Sequence, residues 1–168
     1  MILRQANPGE APIIWTILQQ AIAQRKRDGS EQWQKGYPNE QTVHEDIANG
    51  YAYVLENDDS VIAYAAILFE REPAYDTIEG QWLTDGPYAA VHRVATADHV
   101  KGKGIATRLF TLIEDLCLER EVYSIKVDTN FDNAPMIRIM DKLYYAYCGE
   151  VFFHGAPRKA YEKVLSAR

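Results

Sequence analysis

Two glycines one residue apart and flanked by lysines, Lys101-Gly102-Lys103-Gly104, are the first candidates for chemistry in this chain. They follow an apolar run that reads as a strand, Ala89–Ala95. They open a stretch with Ile105, Leu109, Leu112, Ile113 and Leu116 at the spacing of an amphipathic helix. Glycine permits backbone angles closed to other residues and lets a ligand approach the bare main chain. The first-turn N–H groups of a helix lack intrahelical acceptors, and the helix dipole adds partial positive charge there. With Lys101, Lys103 and Arg108 alongside, the place suits an anion, above all a phosphate or pyrophosphate. A P-loop would need Gly-x-x-x-x-Gly-Lys-Ser/Thr, which is absent, and a dinucleotide fingerprint would need a third glycine where Thr107 sits. Upstream in the same strand stands His92. Histidine is the side-chain type that most readily moves a proton near neutral pH, and His92 reads either so or as a hydrogen-bonded core histidine.

Around this stretch the chain reads as one α/β (α+β) domain spanning residues 1–168. Its length suits a single core, and 47% hydrophobic with 25% charged residues is ordinary for a globular protein. A net charge of −6 argues against nucleic acid as a partner and favours a cationic or neutral small molecule. Cys117 and Cys148 have no metal-ligand spacing and read as small buried hydrophobes in a reducing compartment, so no metal is expected. Met1–Gln5 is too short and polar for a signal peptide, and no apolar run approaches membrane-spanning length. A cytoplasmic protein without a membrane partner, monomer or homodimer, is the expectation.

Strands are expected at Ile2–Ala6, Ala52–Glu56, Val61–Phe69, Ala89–Ala95, Ser124–Asp128, Tyr147–His154 and Arg158–Leu165. A helix starts near Pro12 with Ile13, Ile14, Ile17, Leu18, Ala21 and Ile22 as its apolar stripe. A short one is capped by Asn39, and another by Asn133 with Pro135 in its first turn. The order is β-α-α-β-β-β-α-β-α-β-β. Glu72–Pro87 is a long connection with aromatics and carboxylates, of the kind that is usually functional or mobile.

This order, a mixed and mostly antiparallel sheet flanked by helices, resembles the GNAT family of N-acetyltransferases over nearly the whole chain. The specific motif is the turn: His99-Val100-Lys101-Gly102-Lys103-Gly104 resembles the family's Gln/Arg-x-x-Gly-x-Gly/Ala, with His99 in place of the leading residue. Asp128–Asn133 followed by Lys142-Leu143-Tyr144-Tyr145 is similar to the family's asparagine loop and its Lys-x-Gly-Phe helix end. The resemblance implies acetyl-CoA as co-substrate and a primary amine of a small molecule or peptide as acceptor. The backbone of Lys101, Gly102, Lys103, Gly104, Ile105 and Ala106 would then hold the pyrophosphate, and that of Val94 and Thr96 the pantetheine arm. Asn133 is either a helix cap or a ligand contact.

Amide formation from a thioester needs a neutral amine, so a base or water chain must take a proton. His92 is the candidate, with Tyr88 and Glu79 available for a water relay. Arg93, next in the strand, is expected on the opposite face. Many family members protonate the departing thiolate from a tyrosine on the last helix, but the alignment puts Met140 there. Tyr144, Tyr145, Tyr147 or water would then serve. Trp33, Tyr37 and Trp82 either wall the acceptor site or pack loops. An acyl-CoA-binding sensor or partner-binding module of the same fold, without catalysis, is the rival reading.

Overall fold

The computed structural model describes residues 1–167. The strands are β1 (Ile2–Gln5), β2 (Ala52–Asn57), β3 (Ser60–Leu68), β4 (Glu79–Gly80), β5 (Ala89–Thr96), β6 (Ser124–Thr129), β7 (Ala146–Phe153) and β8 (Ala156–Val164). The helices are α1 (Ala11–Arg27), α2 (Glu40–Ala48), α3 (Ile105–Glu119) and α4 (Ala134–Lys142). The strand order is β1-β2-β3-β5-β6-β8-β7-β4. The pair β5–β6 is parallel, whereas β1–β2, β2–β3, β4–β7, β6–β8 and β7–β8 are antiparallel. The chain forms two compact units, Met1–Ile67 with Arg93–Leu112, and Leu68–His92 with Ile113–Arg168. The chain runs back and forth between them, so neither is a continuous segment with a linker.

In the first unit, α1 buries Ala11, Ile14, Ile17, Leu18 and Ala21, while Ile13 is left outside at 40% exposure. Asn39 caps α2 by accepting from the Thr42 N–H at 3.0 Å. The β2–β3 turn puts Asp58 at φ +49° and Asp59 at φ +60°, the twist that a two-residue hairpin needs.

In the second unit, β8 lies between β6 and β7. The expected turn at Gly155-Ala156-Pro157 is tighter than the sequence suggested. His154 (φ +51°) and Gly155 (φ +77°) make it, and Pro157 already pairs with Phe152 inside β8. Proline is tolerated there because β6 begins to pair with β8 only at Lys159, so no ladder hydrogen bond needs its missing N–H.

The long connection before β5 is ordered. It holds a 3-10 turn at Pro73–Thr77 and the two-residue strand β4, an eighth strand that the sequence reading lacked. Cys148 is bulged out of β7, and Gly149 and Gly80 lie back to back. A Cβ on Gly149 would sit 2.2 Å from the Glu79 carbonyl oxygen, so β4 can pair only with glycine there. Buried Glu162 on β8 ties the same connection down, accepting from the Leu83 N–H and the Thr84 hydroxyl at 2.5 Å each.

Candidate active site

The glycine turn lies in the first unit. Gly102 has φ +75° and Gly104 φ +72°, both in the region that favours glycine, and a Cβ on either would meet nothing within 4 Å. The backbone there is bare on its outer side, and α3 begins directly after it at Ile105. The Gly104 carbonyl accepts from Arg108 N–H at 3.0 Å, which leaves the N–H groups of the first turn directed out of the helix start. A phosphate group fits such a place. The side chain of Lys101 is drawn aside to Asp98 (2.5 Å) and Gln24 (3.1 Å), so its contribution here is its main chain.

In the second unit, β5 delivers His92 into a row of charged groups. Its Nε2 lies 3.1 Å from Glu72 Oε2 and its Nδ1 3.5 Å from Asp128 Oδ1. Asp128 also accepts from the Tyr75 hydroxyl at 2.6 Å and from Arg158 Nε at 2.5 Å. Tyr75 and Phe153 pack against the imidazole, with ring centroids 6.0 and 6.1 Å away. The hydrogen bond from His92 is the main reason that the Glu72 carboxyl is held below its ordinary 4.5, against the opposing effect of burial. Burial above all pushes the Tyr75 phenol far up, so it stays a donor to Asp128. Tyr88 joins at one remove: its hydroxyl accepts from the Glu72 N–H at 2.7 Å. Beside it Lys126 is only 4% exposed, its ammonium 4.1 Å from the Tyr88 ring centroid and 4.5 Å from that of Trp82. Desolvation lowers its pKa.

Arg93 has φ +54°, which breaks the pleat of β5 in mid-strand. Its guanidinium grips Asp46 with Nε at 2.9 Å and Nη2 at 2.6 Å, and Nη1 donates to the Tyr37 hydroxyl at 2.5 Å. Tyr64 donates to the same carboxylate at 2.5 Å. This cluster belongs to the first unit and borders an open depression of about 440 Å³ that Tyr37, Thr42, Glu45 and Tyr51 also line. Tyr37 is therefore both a packing residue and a wall.

Other candidates fall outside the row. Val94 and Thr96 lie on β5 after the pleat break. Asn133 is buried and caps α4, accepting from the Met136 N–H at 3.3 Å. Glu79 is exposed and pairs with Glu150 in the β4–β7 ladder. Tyr144 does not join the row, for its side chain is 87% exposed. Its φ of +63°, with Tyr145 N–H donating to Met140 O (2.9 Å) and Tyr144 N–H to Asp141 O (3.2 Å), makes it the left-handed residue that ends α4. It occupies the glycine position of the Lys-x-Gly-Phe pattern at a cost of about 1 kcal/mol. Tyr147 is 55% exposed and packs on Tyr161. Cys117 and Cys148 are buried free thiols, and burial pushes Cys117 up to about 12. Among the described residues no group of three or more His, Cys, Asp or Glu has the arrangement of a metal site, and no helix is long and apolar enough to cross a membrane.

Met140 is fully buried in α4. Met140→Ala is therefore expected to act as a cavity mutation, losing about 2–5 kcal/mol in denaturant melts while turnover per folded molecule stays within a few fold. A large loss of turnover at full folding would instead place this residue in the reaction.

Glu72, Tyr75, Arg158 and Lys126 are the site residues that sequence reasoning missed. For Glu72 one signal existed: a carboxylate just before Pro73, at the start of the long connection, suits the cap of a short turn. For Arg158 there was none.

A family model described as Acetyltransferase (GNAT) family matches residues 17–144. A solved GNAT-family acetyltransferase from Streptococcus agalactiae is 37% identical over 98% of this chain and 95% of its own, with a TM-score of 0.89. One from Listeria monocytogenes superposes with a TM-score of 0.78 at 18% identity, over 98% of this chain and 94% of that one. The yncA protein of Salmonella typhimurium, solved with its cofactor acetyl-CoA, shares the fold at 15% identity and a TM-score of 0.67, over 100% of this chain and 95% of that one. No curated protein is significantly similar in sequence. With the strand order, the glycine turn and these matches in agreement, the chain belongs to the GNAT acetyltransferase family.

Proposed function

We propose that this protein transfers an acetyl group from acetyl-CoA to a primary amine of a small molecule or peptide, by direct attack and without an acyl-enzyme. The observation that carries the reading is the bare glycine turn opening α3 just downstream of a strand that presents His92 to two carboxylates. Acetyl-CoA supplies a thioester whose carbonyl carbon is open to an amine. The N–H groups from Lys101 to Ala106 bind its pyrophosphate, the main chain of Val94 and Thr96 binds the pantetheine arm, and Asn133 keeps the start of α4 in shape. The row centred on His92 takes the proton that the amine must lose. The high thiol pKa of Cys117 and its burial disfavour a covalent acyl carrier. With Tyr144 in solvent, the departing thiolate takes its proton from water. The acceptor lies against Trp82, and the protein works in the reducing cytoplasm as a monomer or homodimer.

A panel of primary amines, alkylamines, diamines and N-terminal peptides, assayed for CoA release tests this reading. Amine-dependent release above the rate of acetyl-CoA hydrolysis is the expected result. A thermal shift with acetyl-CoA but no release with any amine would favour a sensor, a reading that the buried Met140 in place of the family's tyrosine supports.

A further inference from the structure

We propose that Glu72 is the residue that receives the substrate ammonium and takes its proton, with His92, Asp128 and Arg158 behind it as positioning residues. This rests on the acetyltransferase reading above.

Both ring nitrogens of His92 lie against carboxylate oxygens, Nε2 on Glu72 at 3.1 Å and Nδ1 on Asp128 at 3.5 Å. An incoming amine therefore meets no open imidazole lone pair. Asp128 is no better placed. Its side chain is 4% exposed, and its two oxygens are taken by Tyr75 at 2.6 Å and Arg158 at 2.5 Å. Glu72 is the outermost of the three at 17%, against 11% for His92. Its second oxygen, Oε1, has only a long 3.4 Å contact from the Ala74 N–H. Charge points the same way. Arg158 neutralises Asp128, so the carboxylate with charge to spare for a cation is Glu72.

In the step itself one N–H bond of the ammonium breaks and its proton passes to Oε1 of Glu72. The neutral amine nitrogen then forms a C–N bond to the thioester carbonyl carbon and the C–S bond breaks, so the sulfur leaves as thiolate. A second N–H bond of that nitrogen breaks as the amide forms, and its proton reaches the thiolate through water. Glu72 then returns its proton to solvent. A carboxylate is a weak base for an alkylammonium. The site offsets this in part, because burial and the nearby Asp128 carboxylate both raise the proton affinity of Glu72.

Glu72→Gln removes the charge but keeps the shape: its oxygen can accept from the Ala74 N–H and its NH2 can donate to His92 Nε2, so a purely structural role would survive it. With the best amine of the panel, kcat/KM is expected to fall about 10²-fold or more, while the acetyl-CoA thermal shift is unchanged. Glu72→Asp, which keeps the charge and withdraws it by one methylene, should fall between and serves if the glutamine variant does not fold. A second arm needs no turnover. The ¹⁵N signals of the His92 ring, observed in wild type and Glu72→Gln during titration with n-butylamine, should move only in the wild type. Turnover by Glu72→Gln within threefold of wild type would overturn the proposal. So would equal ring responses in the two proteins, or none in the wild type. If no amine supports CoA release yet the ring responds only when Glu72 is present, the acetyltransferase reading fails and the ammonium site stands.

Discussion

His92→Ala is expected to cut amine-dependent turnover by about 10²–10⁴, the usual contribution of a positioned proton-transfer group, and to leave the acetyl-CoA thermal shift in place. The reason is the proposed division of labour along β5, in which main-chain groups after the pleat break would hold the cofactor and side chains before it would take the proton. His92 supplies the main cause of the lowered Glu72 pKa. Without it that carboxyl rises back toward 4.5, so the acid limb of the kcat/KM profile should move to higher pH. The linkage has the same sign. A carboxyl depressed on folding adds stability above its unfolded pKa and loses it as pH falls through the folded value. The stability that Glu72 gains from His92 should therefore be present above about pH 4.5 and vanish in more acid solution. Because the amine also titrates, a second amine of different pKa serves as the control. An enzyme limb in the free-enzyme profile stays in place and a substrate limb moves. Intact turnover in a folded His92→Ala protein would make this histidine structural.

The second large effect concerns the turn. At a hundredfold excess over Kd, acetyl-CoA should stabilise the protein by about 2.7 kcal/mol, or about 5–10 °C in Tm for a chain of this size. Gly104→Asp should abolish that shift, because a Cβ there meets nothing of the protein within 4 Å and its carboxylate would enter the space proposed for the phosphate. Gly104→Asn is the control. Asparagine tolerates a left-handed backbone about as well as aspartate, so the two variants share the strain of φ +72° and differ in charge. A shift that persists in Gly104→Asp, or one produced in the wild type by ATP or NAD in place of acetyl-CoA, would refute the cofactor assignment.

Much of this protein was legible because it is written in short range. Periodic apolar residues mark α1 and α3, Asn39 and Asn133 mark helix starts, and Asn57-Asp58-Asp59 marks a hairpin. Gly102 and Gly104 mark a backbone that other residues avoid. Each of these depends on a residue and neighbours within a turn or two, where propensity and capping act, so composition and spacing suffice. Even the likeness of Lys142-Leu143-Tyr144-Tyr145 to a glycine-bearing helix end held at the level of the backbone, with tyrosine forced into the glycine's conformation.

The row that carries the proposed chemistry was not legible in that way. His92 meets Glu72 across 20 residues of chain, and Asp128 meets Arg158 across 30. Those meetings depend on the β6–β8 register, on the Gly80–Gly149 contact that lets β4 pair with β7, and on Glu162 holding the connection above it. A one-residue slip of β8 against β6 would turn Arg158 to the other face, away from Asp128. The sequence by itself determined that this chain has a glycine turn opening a helix after a strand with a histidine, within a GNAT-like order of elements. Only the tertiary structure decided which carboxylates that histidine meets, because long-range ion pairs follow from strand register and not from local spacing.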